Sequence, residues 1–95
     1  MDTNIINAAI QVVPINVQDG YAVVDRAIEL IADSGLPYLV GPFSTSVEGT
    51  FEQVQKLIHQ IKTQLLAKEL NELLINIQLH CKADGDMRAS DKVKP

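Results

Sequence analysis

The spacing of the apolar residues changes repeatedly along this 95-residue chain, and these changes limit the folds open to it. Residues 5–13 alternate with a period of two and predict a strand that ends at Pro14. Residues 19–34 then show helical spacing, with Asp19 as the expected N-cap and Ser34-Gly35 as the stop. The inward side chains predicted for that helix are Val24, Ala27, Ile28 and Ile31.

Two short apolar runs meet at Gly41-Pro42 and predict a hairpin of strands at residues 36–40 and 43–48. Proline cannot donate to a central ladder and glycine tolerates positive φ, so this pair marks the turn. The second strand closes with Glu48, whose ionised carboxylate is costly to bury without a partner. Either a bound ligand or solvent at the strand end would supply that partner.

The segment after Glu48 carries the strongest helical pattern in the chain. Thr50 and Gln53 have the spacing of a capping box. The apolar stripe behind them consists of Phe51, Val54, Leu57, Ile58, Ile61 and Leu65. Residues 73–79 alternate again and predict a last strand, although residues 66–74 also fit a longer helix.

The resulting order, β-α-β-β-α-β, occupies one predicted domain of residues 1–81, followed by a short charged tail at 82–95. With right-handed crossovers in both halves, it predicts an α+β, ferredoxin-like sandwich. Its four-stranded antiparallel sheet would carry both helices on one face. The other face would be half polar, showing Gln11, Ser44 or Thr45, Asn76, Gln78 and His80 beside Val13 and Leu74. Such a face favours self-association or a small ligand that satisfies the polar groups.

The charge and cysteine content argue against several classes of function. Lysine and arginine total 8 against 12 acidic residues, without a basic cluster that could follow a phosphate backbone. The single cysteine, Cys81, fits a reducing compartment. The N-terminal residues lack a signal-peptide pattern, and no apolar run reaches the roughly 20 residues of a membrane span. We therefore expect a cytoplasmic protein whose partners are neither nucleic acid nor membrane.

An enzyme is not expected from these residues. His80 and Cys81 are adjacent on a predicted strand, so their side chains point to opposite faces and cannot pair as base and nucleophile. Cys81 is instead expected to be a small buried hydrophobe, and His80 could line a ligand site. No metal-ligand spacing and no phosphate-binding glycine loop are present. We predict no catalytic residues, no metal site and no cofactor.

The predicted binding group is Glu48 with the hydroxyls of Ser44 and Thr45. Together they would accept and donate hydrogen bonds, as an amino-bearing heterocycle or a cation requires. The alternative is that Glu48 only stabilises the N-terminus of the second helix through the helix dipole. Tyr38 could stack on a ligand ring or could be a packing residue.

A resemblance to a known family rests on the run Tyr38-x-x-Gly41-Pro42-Phe43-x-Thr45-x-x-Glu48-Gly49, which a long amphipathic helix follows. The chain resembles the small thiamine-binding, MTH1187/YkoF-like proteins of the UPF0045 type over residues 5–80. The resemblance implies a ferredoxin-like fold, homodimers or homotetramers, and non-catalytic binding of thiamine or its hydroxymethylpyrimidine part. It implies Thr45 and Glu48 as ligand positions, with Gln11 as a weaker candidate.

The chain departs from that family after the last strand, where many relatives continue into a longer charged helix. The absence of a phosphate-binding pattern favours unphosphorylated thiamine or the free pyrimidine over the diphosphate. A second function remains open: a structural or regulatory self-assembling protein that has no thiamine-type ligand.

Overall fold

The computed structural model describes residues 4–68 and 70–88, without the side chain of Lys68. Its elements are β1 (Ile6–Pro14), α1 (Gly20–Asp33), β2 (Tyr38–Val40), β3 (Thr45–Gly49), α2 (Phe51–Lys68) and β4 (Leu73–His80). The four strands form one antiparallel sheet in the order β2-β3-β1-β4. This is the predicted ferredoxin-like βαββαβ arrangement.

Local hydrogen bonds explain where both helices begin and where α1 ends. The Asp19 carboxylate accepts from the Ala22 N–H at 3.1 Å and caps α1. Gly35 takes the left-handed conformation after α1, with φ of 81°. At α2 the Thr50 N–H donates to Gln53 Oε1 at 2.9 Å, and the Gln53 N–H donates to Thr50 Oγ1 at 3.2 Å. The predicted N-cap, stop and capping box are therefore confirmed.

The hydrophobic core lies between the sheet and the two helices. Its buried members are Ile6, Ala8, Ile10, Val23, Ala27, Leu30, Ile31, Val47, Val54, Leu57, Ile61 and Leu65. The stripe predicted for α2 is confirmed at four positions, whereas Ile58 is half-buried and Phe51 is exposed. In α1 the predicted Ala27 and Ile31 are buried, but the other two buried positions are Val23 and Leu30 instead of Val24 and Ile28. Both sets satisfy helical spacing, and the positions of the sheet and of α2 decide which set turns inward.

The hairpin differs from prediction at its tip. The Gly41 N–H donates to the Ser44 carbonyl at 2.9 Å, so Pro42 and Phe43 belong to the turn and β3 begins only at Thr45. A Cβ atom on Gly41 would lie 2.9 Å from that carbonyl oxygen, so a side chain there could not be accommodated without a shift.

The alternative of a helix through residues 66–74 is wrong, because β4 begins at Leu73. None of the helices in residues 4–68 and 70–88 is long and apolar enough to cross a membrane. The sheet face opposite the helices is open, and it holds most of the polar side chains that were predicted to lie there.

Candidate functional site

Glu48 lies on the open face of the sheet, at the end of β3. Thr45, Val47 and Gly49 are buried toward the helices, so the alternating Ser46 and Glu48 side chains point the other way. The Glu48 side chain is 17% exposed, and its Oε2 atom lies 3.9 Å from Nη1 of Arg88. Its carboxylate therefore faces away from the helix layer, while the capping box already occupies the N-terminus of α2.

Two shallow depressions mark the open face. The smaller, about 200 Å³, is lined by Pro37, Tyr38, Leu39, Ser46 and Glu48. The larger, about 320 Å³, is lined by Ala9, Gln11, Phe43, Ser44, Asn76, Ile77 and Gln78. Ala9 and Ser46 are partners in the β1–β3 register, so the two depressions adjoin. Within the larger one, Asn76 Nδ2 donates to Gln11 Oε1 at 3.0 Å.

Four of the five predicted site residues line these depressions: Glu48 with Tyr38 in one, and Gln11 with Ser44 in the other. Thr45 does not join them. It is 6% exposed and pairs with the buried Ile10, so its side chain faces the helices. Successive side chains of a strand alternate between its two faces, so Thr45 and Glu48, three positions apart, lie on opposite faces. A ligand on the open face would meet Ser46 beside Glu48 instead.

The most buried side chain on the open face is one that sequence reasoning missed. Asn7 is only 5% exposed, and it pairs in register with Glu48 on β3 and with His80 on β4. Its Nδ2 atom finds no hydrogen-bond partner within the part of the chain that the structure describes. Only the strand register shows that Asn7 is the neighbour of Glu48. In the sequence, Asn7 is one of several polar residues that interrupt an apolar run.

Residues 86–88 pack against this end of the open face, and we call them the C-terminal strap. Asp86 Oδ1 accepts from the Ile5 N–H at 2.8 Å, and the Met87 N–H donates to the Ile5 carbonyl at 2.8 Å. Met87 is buried, although it is not part of the core between sheet and helices. Arg88 lies beside Glu48 and also donates to Asp86 at 3.1 Å. The rest of the predicted tail, residues 89–95, lies outside the described residues.

The electrostatics of the strap centre on Asp86. The hydrogen bond from the Ile5 N–H lowers the pKa of this carboxyl below its usual value of 3.8, and the Arg88 guanidinium acts in the same direction against partial desolvation. The carboxylate is therefore ionised at neutral pH, which keeps both of its hydrogen bonds in place.

His80 is the last residue of β4, and Cys81 follows it. Cys81 is a free, exposed thiol, so the expectation of a buried hydrophobe is wrong. Across residues 4–68 and 70–88, no three histidine, cysteine or acidic side chains are grouped as metal ligands.

The sequence from residue 8 to residue 95 matches the family model described as thiamine-binding protein. The chain belongs to this family. A Thermotoga maritima protein, described as a candidate for thiamine biosynthesis or salvage, is 33% identical; the match covers 94% of this chain and 95% of that one, with a TM-score of 0.85.

Two further comparisons agree with that assignment. A domain of unknown function from Bacillus cereus is 26% identical, covers 96% of this chain and 88% of its own, and has a TM-score of 0.88. A UPF0045 protein from Clostridium perfringens is 28% identical over 87 residues, which is 90% of this chain and 88% of the relative. The predicted family is therefore confirmed.

In this member of the thiamine-binding family, the recognised motif divides into structural and open-face positions. Gly41 allows the tight approach to the Ser44 carbonyl, and Thr45 fills a place in the inward-facing layer. Glu48 is the motif residue whose functional group reaches the open face.

Proposed function

We propose that this protein binds thiamine or its hydroxymethylpyrimidine part, without catalysis, on the open sheet face at Glu48. Family membership supports a thiamine-related role. The observation that carries the proposal is the position of the Glu48 carboxylate, which lines a depression on the face left open by the helices. A carboxylate whose only task was to favour the dipole of α2 would not need to point away from that helix.

The chemistry of this corner suits the ligand. Thiamine combines an aminopyrimidine, which donates from its amino group, with a positively charged thiazolium. Glu48 can accept from the amino group or offset the positive charge. Leu39 supplies apolar surface in the same depression, against which a flat ring can pack. Tyr38 also lines the depression, but it pairs with the buried Val47, so its ring lies on the helix side of the sheet.

Calorimetry with thiamine, hydroxymethylpyrimidine and thiamine diphosphate tests this proposal on protein freed of co-purified ligand. We expect saturable binding of thiamine or the pyrimidine, and weaker binding of the diphosphate. Glu48→Gln keeps the shape of the side chain but removes its charge, and it should weaken binding at least about tenfold, since a hydrogen bond to a charged group contributes about 1.5–3 kcal/mol.

The matched control is Glu72→Gln, the same change at an exposed carboxylate between α2 and β4. It should bind as the unaltered protein does. Equal affinity in the Glu48→Gln variant and the unaltered protein would reject the assignment of the site.

We include self-association in the proposal, as a homodimer or homotetramer that covers the open face. Three large apolar side chains on or beside that face are exposed: Leu39 (70%), Phe43 (83%) and Leu74 (48%). The same exposure favours the second function, a self-assembling protein with no thiamine-type ligand. A thermal unfolding midpoint that no thiamine-like compound shifts, in a protein that still assembles, would favour that function.

A further inference from the structure

Asn7 lies directly across from Glu48 on the open face. Opposite residues of an antiparallel pair have Cβ atoms about 4.5–5.5 Å apart, so these two side chains are neighbours. One is an amide whose Nδ2 donor is buried without a partner among the described residues. The other is a carboxylate, which only accepts. The sheet therefore holds a hydrogen-bond donor and an acceptor side by side.

A buried donor without an acceptor costs folding free energy, and a strand would be more stable with an apolar residue in its place. Asn7 therefore lowers the stability of the free protein, and residues that do so are found at binding sites. A ligand that presents an acceptor to Asn7 would satisfy its buried donor, and the same ligand can donate to the neighbouring Glu48 carboxylate.

We propose that Asn7 and Glu48 together read the amino edge of a 4-aminopyrimidine. Asn7 Nδ2 donates to the ring nitrogen next to the amino-bearing carbon, and Glu48 accepts from the amino group. This rests on the proposed function and names the residue that selects the ligand. The pair rejects a 4-oxo pyrimidine, which presents an acceptor oxygen where the amino group was and a donor N–H on the ring.

The C-terminal strap lies beside this pair. It contacts the chain at Ile5, two residues before Asn7 on the same strand side, and again at Glu48. Met87, which lies between these contacts, is buried. Arg88 Nη1 lies 3.9 Å from Glu48 Oε2, and the arginine side chain is half exposed.

The first test needs no variant. Thiamine and its 4-oxo analogue are titrated into the full chain by calorimetry, and thiamine should bind at least about tenfold more tightly, because the analogue leaves a buried donor or acceptor unpaired. Equal affinity for the two compounds would overturn the inference. If neither thiamine nor hydroxymethylpyrimidine binds at all, the proposed function itself fails, and this inference fails with it.

Two substitutions of nearly the same shape then test Asn7 itself. Asn7→Leu removes the donor, and Asn7→Asp also sets a second acceptor beside Glu48; each should weaken thiamine binding at least about tenfold, and Asn7→Leu should bind the two compounds more equally. Asn71→Asp, the same change at an exposed asparagine between α2 and β4, is the control and should bind thiamine normally.

Thermal unfolding without ligand separates recognition from a structural role. Asn7→Leu should unfold at the same temperature as the unaltered protein or higher, since it removes an unpaired buried donor. Unchanged thiamine affinity in a folded Asn7→Leu variant overturns the inference while leaving the Glu48 site intact. A large fall in its unfolding temperature would assign Asn7 to the fold instead, and would also overturn it.

Discussion

At the scale of single residues, the family motif serves several purposes within a dozen positions. Glycine is required at position 41 because the Ser44 carbonyl oxygen lies too close to the place that a Cβ atom would occupy. Thr45 turns into the inward layer, whereas Glu48 turns out to the open face. A short motif can therefore identify a family reliably even though only part of it can touch a ligand.

The Thr50–Gln53 capping box gives a prediction at the same scale. Thr50→Ala removes the hydroxyl that accepts from the Gln53 N–H, so the free energy of unfolding should fall by about 1 kcal/mol. Urea denaturation followed by circular dichroism measures it. Thr63→Ala, at an exposed position inside α2, is the control and should be neutral or slightly stabilising, because alanine is the better helix former. Equal loss in both variants would contradict the role of the cap.

At the scale of elements, local signals were sufficient for most of the fold. Each cap, the hairpin glycine and each change of apolar period is a pattern within a few consecutive residues. Sequence alone therefore located all four strands and both helices. Two of the four inward positions predicted for α1 were wrong, because Val23 and Leu30 fit helical spacing as well as Val24 and Ile28 do. That choice depends on packing partners distant in the chain.

The sequence did not predict the C-terminal strap or the position of Asn7 beside Glu48, for the same reason. Asp86 and Ile5 are 81 residues apart, and no local sequence pattern predicts the hydrogen bond between them. Likewise, Asn7 acquires its meaning only when the β1–β3 register sets it across from Glu48. The motif located the carboxylate of the candidate site, but its hydrogen-bonding neighbour required the assembled sheet.

The strap yields a prediction with a defined pH dependence. The folded pKa of Asp86 is lowered, so its contribution is complete above the unfolded value, near 3.8, and is lost as pH falls through the folded pKa. The Ile5 amide signal in NMR spectra should therefore titrate with a midpoint below 3.8.

The corresponding substitution can be examined at neutral pH. Asp86→Ala should speed hydrogen exchange at the Ile5 amide, since the carboxylate that accepts from it is gone. The exposed neighbour Asp84 offers the control, and Asp84→Ala should leave that exchange rate unchanged. Protection at Ile5 that survives the loss of Asp86 would show that the strap is held in another way.

At the scale of the whole molecule, one side of the sheet is covered by helices and the other is not. The uncovered side combines exposed apolar residues with the paired amides of Gln11 and Asn76. Two copies meeting through such a face would exclude water from the apolar groups, and each contact would occur twice about a two-fold axis. Ligand binding and assembly would then share the same surface.

Gln78→Lys tests that arrangement, because Gln78 lies on the open face of the edge strand β4 and pairs with Ala9 in the sheet register. A two-fold interface would contain the new charge twice without partners, so the variant should sediment as a monomer at concentrations where the unaltered protein is a dimer or tetramer. Gln60→Lys adds the same charge on the exposed side of α2 and should keep the assembly of the unaltered protein. Analytical ultracentrifugation distinguishes these states directly. If the Gln78→Lys variant assembles like the unaltered protein, the open face is not the interface, and the exposed edges of β2 and β4 become the surfaces to test.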